Sequence, residues 1–563
     1  VKRWLAETHG AGFELLRHFL GRFFDSDLVT EPGQWTRVLI TAFSLLVPAF
    51  LLVMQVLRAK YAHFSHLPTP EPYRQAARAD ELWLITLGMS LVGLLTAAQW
   101  QSLFPSKRDY LALGTLPIRP RQIFVAKFAA LIVMATALIA VLNALPSLAF
   151  PAVSVSRWQI NPSYLQNVGA HAVTTALASY FFFFGLVALQ GVLLNLFRPA
   201  WFARISSVLQ GAAIVLMLTL IILSFSIGPS QESAQLQPSI AKWLPPVWFL
   251  GLYQTMLGDP HFDELANRAL WGLGVAVAIS ILSYLISYQR HRELAIEGVD
   301  AGQSRGKLGG WILDRLIPNP RQQGALVFML KTLARSGQHR MVLVAYFGVA
   351  LAVVLSGMAG LSSLTKPDRL LLSYFAYVHM GALLFLLLGL RHSFGIPMEL
   401  RANWAFQITE REGRREWLRA VDRLALLPAI LIVVILPAPI EIALLGWRGL
   451  GEALLSTAAY LLLFESLFHD WQKLPFTCSY LPGKVNGFVV ALRGLGVLTA
   501  IPILNAIAVA SLYNQIGYLF LLGLVLIAWN AVRYSRRLDF GNDRLCYVEE
   551  PDPAVRTLQL GTN

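Results

Sequence analysis

Charge is what this chain has least of. Only 14% of its 563 residues are Asp, Glu, Lys or Arg, against roughly 25% in an average soluble domain, so most of its surface is not built for water. Cysteine is nearly missing as well. Cys478 and Cys546 are the only two, which excludes a disulfide framework, and the lack of a Cys-x-x-Cys spacing argues against a cysteine-held zinc. Both fall in segments expected in the cytoplasm and read as reduced thiols. The phosphate-loop pattern GxxxxGK[ST] is absent: Gly302-Gln303-Ser304-Arg305-Gly306-Lys307 has the wrong spacing and is followed by leucine. A Rossmann fingerprint, a kinase-like glycine loop and HExxH are missing too. The chain is therefore expected to carry no catalytic residues, no metal and no cofactor of its own. The first ten residues lack the continuous apolar core and cleavage site of a signal peptide. The leading Val1 fits either a GTG start codon read literally, as in a bacterial gene, or a shortened N-terminus.

What fills the chain instead is apolar sequence, 56% of the residues. It falls into about twelve stretches of about twenty residues, each long enough to cross the hydrocarbon core as a helix. They cover 38–57, 82–104, 127–150, 171–196, 206–228 and 269–288, then 341–361, 370–390, 424–446, 453–468, 487–512 and 516–532. The alternating ten-residue segments of a membrane barrel are absent. The expected fold is an all-α polytopic bundle of 6+6 spans.

The net charge of +14 could serve nucleic acid, but in a membrane chain its location decides its meaning. Lys and Arg concentrate in the N-terminal segment, 105–127, 289–340, 391–423 and the C-terminal tail. This bias places both termini in the cytoplasm, with lipid rather than nucleic acid as the basic residues' neighbour; with the GTG reading of Val1 the expected location is a bacterial cytoplasmic membrane. One loop resists. Arg58, Lys60, Arg74 and Arg78 fall on the outer side, where Arg58 and Lys60 are expected to snorkel from a helix end.

Residues 289–340, with Gly298 to Gly310 and Pro318-Asn319-Pro320, punctuate the chain into halves 1–300 and 301–563. Each half opens with a basic amphipathic segment. Trp4, Phe13, Leu16, Phe19, Leu20, Phe23 and Phe24 form the apolar stripe of the first, and Leu326, Met329, Leu330 and Leu333 that of the second. Such helices lie on a leaflet or serve as linkers. The likeness of the halves is one of layout, the plan of parallel six-span repeats.

Between the second and third spans runs Leu111-Ala112-Leu113-Gly114-Thr115-Leu116-Pro117-Ile118-Arg119-Pro120-Arg121-Gln122-Ile123, with Lys127 beyond it. Two prolines fix its direction, and Arg119 and Arg121 flank the second. A short, stiff, basic element suits either docking to a protein or anchoring to lipid. In Leu116-Pro117-Ile118-Arg119-Pro120-Arg121-Gln122-Ile123 and Lys127 the sequence resembles the permease subunits of ABC-2 type ABC transporters. The resemblance covers about twenty residues as motif and both halves as architecture. It implies an interfacial helix and six spans per half, and an intracellular coupling element after the second span. It further implies a separate cytoplasmic ATPase, in two copies, that binds ATP and magnesium. By position the second half's coupling segment is 399–423, with Glu410, Arg411 and Arg414, but it lacks the Leu-Pro-Ile step.

Ionisable residues inside spans invite a functional reading. Glu441, between Pro437 and Pro439 on one side and Ile442 on the other, either lines a kinked, hydrated site or pairs with Arg448. His379 is a packing residue or a proton relay, and Arg493 a pathway residue or a snorkelling one. Glu465 and His469 share a helix face, with Asp470 adjacent; metal, proton exchange and an ordinary wet helix end are their three readings. The expected function is a permease, an exporter, driven by a partner ATPase. The alternatives are an ion-coupled secondary transporter using His379, Glu441 and Arg493, and a lipid-modifying enzyme at Glu465, His469 and Asp470.

Overall fold

A chain solvated by lipid has to satisfy every backbone N–H and C=O within itself, and a helix does so segment by segment. The computed structural model describes residues 12–21, 34–104, 109, 113, 120–227, 243–297, 319–361, 367–398, 403–469, 471–478, 503–539, 545 and 547. All regular elements among the described residues are helical. Nine of these helices are long and apolar enough to cross a membrane, and the chain is a multi-pass helical membrane protein. It divides into two compact units, Val1–Gln303 and Ser304–Asn563.

In the first unit α1 (12–21) precedes α2 (Gln34–Ser65), α3 (Glu71–Ala98), α4 (Pro120–Val153), α5 (Tyr164–Leu196), α6 (Pro199–Ile227), α7 (Pro245–Leu257) and α8 (Asp263–Glu297). The centre is α5, which packs on α3, α4, α7 and α8. The first half of its buried face is rich in small and hydroxylated residues, Ala170, Thr174, Thr175, Ala178 and Ser179. Such a surface lets helices approach closely where lipid removes any hydrophobic drive between them. Asn195 fastens it to α8, its amide donating to Ser287 Oγ at 2.9 Å.

The second unit holds α9 (Pro320–Arg335), α10 (Gly337–Leu361), α11 (Pro367–Gly395), α12 (Trp404–Ala429), α13 (Ala438–Leu445), α14 (Trp447–Leu467), α15 (503–511) and α16 (Gln515–Asp539). Here α14 is central, against α11, α13 and α16. Its neighbour span is broken. Between α12 and α13 lies a π-helical turn, Ile430–Ile435, where the Leu436 N–H reaches back to Leu431 O at 3.0 Å. Pro428, Pro437 and Pro439 surround the turn, and a proline supplies no N–H to the regular ladder. The aromatic loop after α14 folds onto the bundle. Phe468, Trp471, Leu474 and Phe476 are buried, and the Phe476 N–H donates to Phe394 O at 3.0 Å.

Expected spans 38–57, 206–228 and 487–512 are not among the nine. The first lies in α2, much of whose side-chain detail is outside the described residues, and most of the third lies outside them too. The apolar stretch of α6, Ile205–Ile221, is shorter than the others. Several helices also start before their apolar runs, α3 at Glu71 and α14 at Trp447. That extension changes the reading of Lys60. Rather than snorkelling, its ammonium meets Asp80 Oδ1 at 2.9 Å, and the Tyr61 hydroxyl donates to Asp80 Oδ2 at 2.7 Å. Arg78 in turn lies 3.6 Å from Asp259.

Candidate functional site

Each unit buries a histidine against glutamate between helices. In the second, the sequence Gly446-Trp447-Arg448-Gly449 makes a tight reversal from α13 into α14. Gly446 has φ +61°, which a side chain disfavours, and a Cβ on Gly449 would stand 2.5 Å from the Glu441 carbonyl oxygen. The close approach brings Glu441 of α13 over α14, where Glu452 lies, with His379 of α11 between them. His379 Nδ1 is 2.7 Å from Glu452 Oε2, and the Ser456 hydroxyl donates to Glu452 Oε1 at 2.6 Å. His379 Nε2 stands 3.0 Å from Glu441 Oε1. The side chains of His379, Glu441 and Glu452 are 0%, 0% and 2% exposed. Arg448 is not the partner of Glu441; its guanidinium lies over the Tyr513 ring, 4.5 Å from the centroid.

The first unit has a two-member version with the types exchanged. The carboxylate, Glu81, is on α3, and the imidazole, His171, is on α5. His171 Nδ1 is 2.9 Å from both carboxylate oxygens, and neither side chain is exposed. A neutral imidazole donates one proton to such a carboxylate and keeps a lone pair on the other nitrogen; an imidazolium donates twice. Either state can bind, orient or relay a proton.

A second arrangement recurs at the amphipathic segments. Leu15 and Phe19 of α1 are buried against Leu113, Ile123, Ala126 and Ala130, and Lys127 Nζ lies 5.0 Å from the Phe19 ring centroid. In the second unit Leu326, Met329 and Leu333 of α9 pack with Trp417, Leu418 and Val421 of α12, and Gln322 donates to Glu416. Among the described residues, part of the apolar stripe of each amphipathic helix thus packs on the protein, on the stretch that leads into the unit's third expected span.

Of the residues expected to couple, Arg121 is exposed in the first turn of α4 and Lys127 is buried one face away. Leu116, Pro117 and Arg119 lie outside the described residues, as does Arg493 of the expected pathway. Segment 399–423 is mostly helix, the first turns of α12, rather than a loop. Glu410 accepts the backbone N–H of Leu545 at 2.6 Å, which ties the tail to α12. Arg411 belongs to α12, its side chain outside the described residues. Arg414 lines a cavity of 630 Å³ with Arg415, Arg419, Arg533, Arg536 and Arg537.

His379 and Glu441 come together. Glu465 and His469 do not: Glu465 accepts from Arg536 at 2.8 Å, and His469 faces Ser535 at 3.2 Å. Arg536 also donates to Asp422 at 2.9 Å, so α12, α14 and α16 share one ion network with the buried Arg536 at its centre. Sequence reasoning missed Glu452, Glu81 and His171. The available signal was their place at the edges of apolar runs, Glu81 and Glu452 just before one and His171 at the start of another. No protein-family profile, curated protein or solved structure matches the chain.

Proposed function

We propose that the chain is the permease of an ATP-driven transporter of the ABC-2 kind, an exporter, powered by a separate ATPase in the cytoplasm. In this reading it has twelve spans in two sixes, with both termini cytoplasmic in a bacterial inner membrane. The observation that carries it is the recurrence, in both units, of an amphipathic helix packed on the stretch before the third span. An exposed basic element lies beside it each time, Arg121 on α4 and Arg415 on α12. A cytosolic motor needs a firm lever on each half, and an element braced by a second helix moves with its span instead of bending away from it. The loop that weighs against this orientation holds two of its four basic residues in ion pairs, Lys60 with Asp80 and Arg78 with Asp259. Only differential affinity of nucleotide-bound ATPases for two permease conformations yields directional work.

The test is recovery of a partner from native membranes. A protein with a phosphate loop should copurify with the wild type and be lost with the double variant Arg119→Glu, Arg121→Glu. Retention of the ATPase by that variant would remove these residues as its dock. Failure to recover any such ATPase would turn attention to the ion-coupled reading, favoured by the buried His379 and His171 centres. Ion coupling is abolished by collapsing the gradient at constant ATP, which leaves the ATP-driven reading untouched.

A further inference from the structure

The His379 centre holds polar atoms with no partner of their own. With Glu452 accepting from His379 Nδ1 and itself held by Ser456, a neutral imidazole turns its Nε2 lone pair to Glu441. Although His379 Nε2 and Glu441 Oε1 are 3.0 Å apart, their alignment is not that of a hydrogen bond. Nε2 and both oxygens of Glu441 have no hydrogen-bond partner and no access to water. A lone pair facing a carboxylate in a buried site is repulsive, and the atoms between them have to share a cation.

We propose that His379 and Glu441 bind a divalent transition-metal cation of the zinc or cobalt class, with Glu452 as the residue that orients the histidine. Imidazole plus carboxylate is the donor set of that class, and softer or harder ions prefer thiolate or all-oxygen sites. Charge points the same way. Two carboxylates and a neutral imidazole carry −2, which a divalent cation cancels and a proton only halves. No lysine or arginine pairs with Glu441 or Glu452 among the described residues. One donor atom from each of the three residues falls within 4.8 Å of the others. Hydrogen bonding from a carboxylate to the far nitrogen of a metal-binding histidine is the usual outer support of such sites. Access comes from an apolar cavity of 440 Å³ bordered by Glu452 and Ser456. The site does not depend on an ATPase partner, and its test involves none.

Full-length protein, purified in detergent by a tag free of histidine and stripped with chelator, is titrated with cobalt(II) and followed by visible absorption. The wild type should take up one equivalent per chain and release it to zinc. His379→Gln and Glu441→Gln should lose the band, and Glu452→Gln should keep the stoichiometry with affinity lower by about 10–100-fold. His261→Gln, at an exposed loop histidine, should bind as the wild type does. Absence of saturable binding in the wild type overturns the proposal and assigns the space to a proton. So does a cobalt band that survives His379→Gln unchanged or disappears with His261→Gln. Should the buried variants fail to fold, the wild-type titration decides alone.

Discussion

His171 and Glu81 have no exposed surface, so each depends on the other for its polar partner. Removing one member leaves a buried charge or an orphaned donor, at a cost of about 3–5 kcal/mol, whereas removing both can be nearly neutral. Glu81→Leu alone should therefore lower the unfolding midpoint in detergent sharply, and Glu81→Leu with His171→Leu should recover most of the loss. Equal damage from the single and double variants would mean that the pair contributes through packing only. Arg536 makes a milder case: Arg536→Met removes the cation between Glu465 and Asp422, but Asp422 is 33% exposed and Arg533 lies 3.9 Å from Glu465, so the midpoint should fall by less than with Glu81→Leu. Arg537→Ala, one residue along on the exposed face, should stay within about 0.5 kcal/mol of the wild type. His379 and Glu441 were legible as ionisable residues in apolar runs. Glu81 and Glu452 were not, because a hydropathy window stops at the first charge. The helix does not stop there when that charge has a buried partner a hundred residues away or fewer.

The α13–α14 reversal is where local geometry and the His379 centre meet. Gly446 holds a positive φ, and Gly449 lets the backbone of α13 rest on α14. A non-glycine residue in a sparsely populated backbone region costs about 1–3 kcal/mol, so Gly446→Ala should destabilise by that order. Gly449→Val should do more, since its side chain would collide with the Glu441 backbone and carry the carboxylate away from His379. Thermal unfolding measures the first effect. The second is read as a midpoint fall exceeding that of Gly446→Ala, and a smaller fall would show that α13 has room to move. From sequence, Pro437 and Pro439 announced an interruption in this span. The π turn at Ile430–Ile435 was hidden, because six consecutive aliphatic residues look the same in an α-helix. The amphipathic stripes of α1 and α9 were visible as well, but a stripe does not say whether lipid or protein covers it. Here Leu113 and Ile123, and Trp417 and Val421, supply the answer.

At the scale of the whole molecule, the proposed motor docks on the end of each unit where Arg121 and Arg415 lie, and this end has to face the nucleotide. The positive-inside bias fixes orientation through basic residues in short loops. It counts Lys and Arg rather than net charge, so Lys60 counts although it meets Asp80. In the proposed topology the 58–80 loop is an outer one that carries Arg58, Lys60, Arg74 and Arg78, of which Lys60 and Arg78 are paired with Asp80 and Asp259. This commits the molecule to a definite exposure pattern. In a background with Cys478→Ser and Cys546→Ser, single cysteines are introduced as His66→Cys and Arg415→Cys, both exposed positions. A membrane-impermeant maleimide applied to cells whose outer envelope has been removed should label the first at once. The second should react only after the membrane is opened. Labelling of Arg415→Cys from outside would put the basic elements on the side without ATP, and no cytoplasmic ATPase could then reach them. Labelling of neither before opening would place the 58–80 loop inside with them, and the seven proposed crossings between the two positions would have to become an even number. The first outcome alone is compatible with a chain that borrows its force from a cytoplasmic partner through α4 and α12.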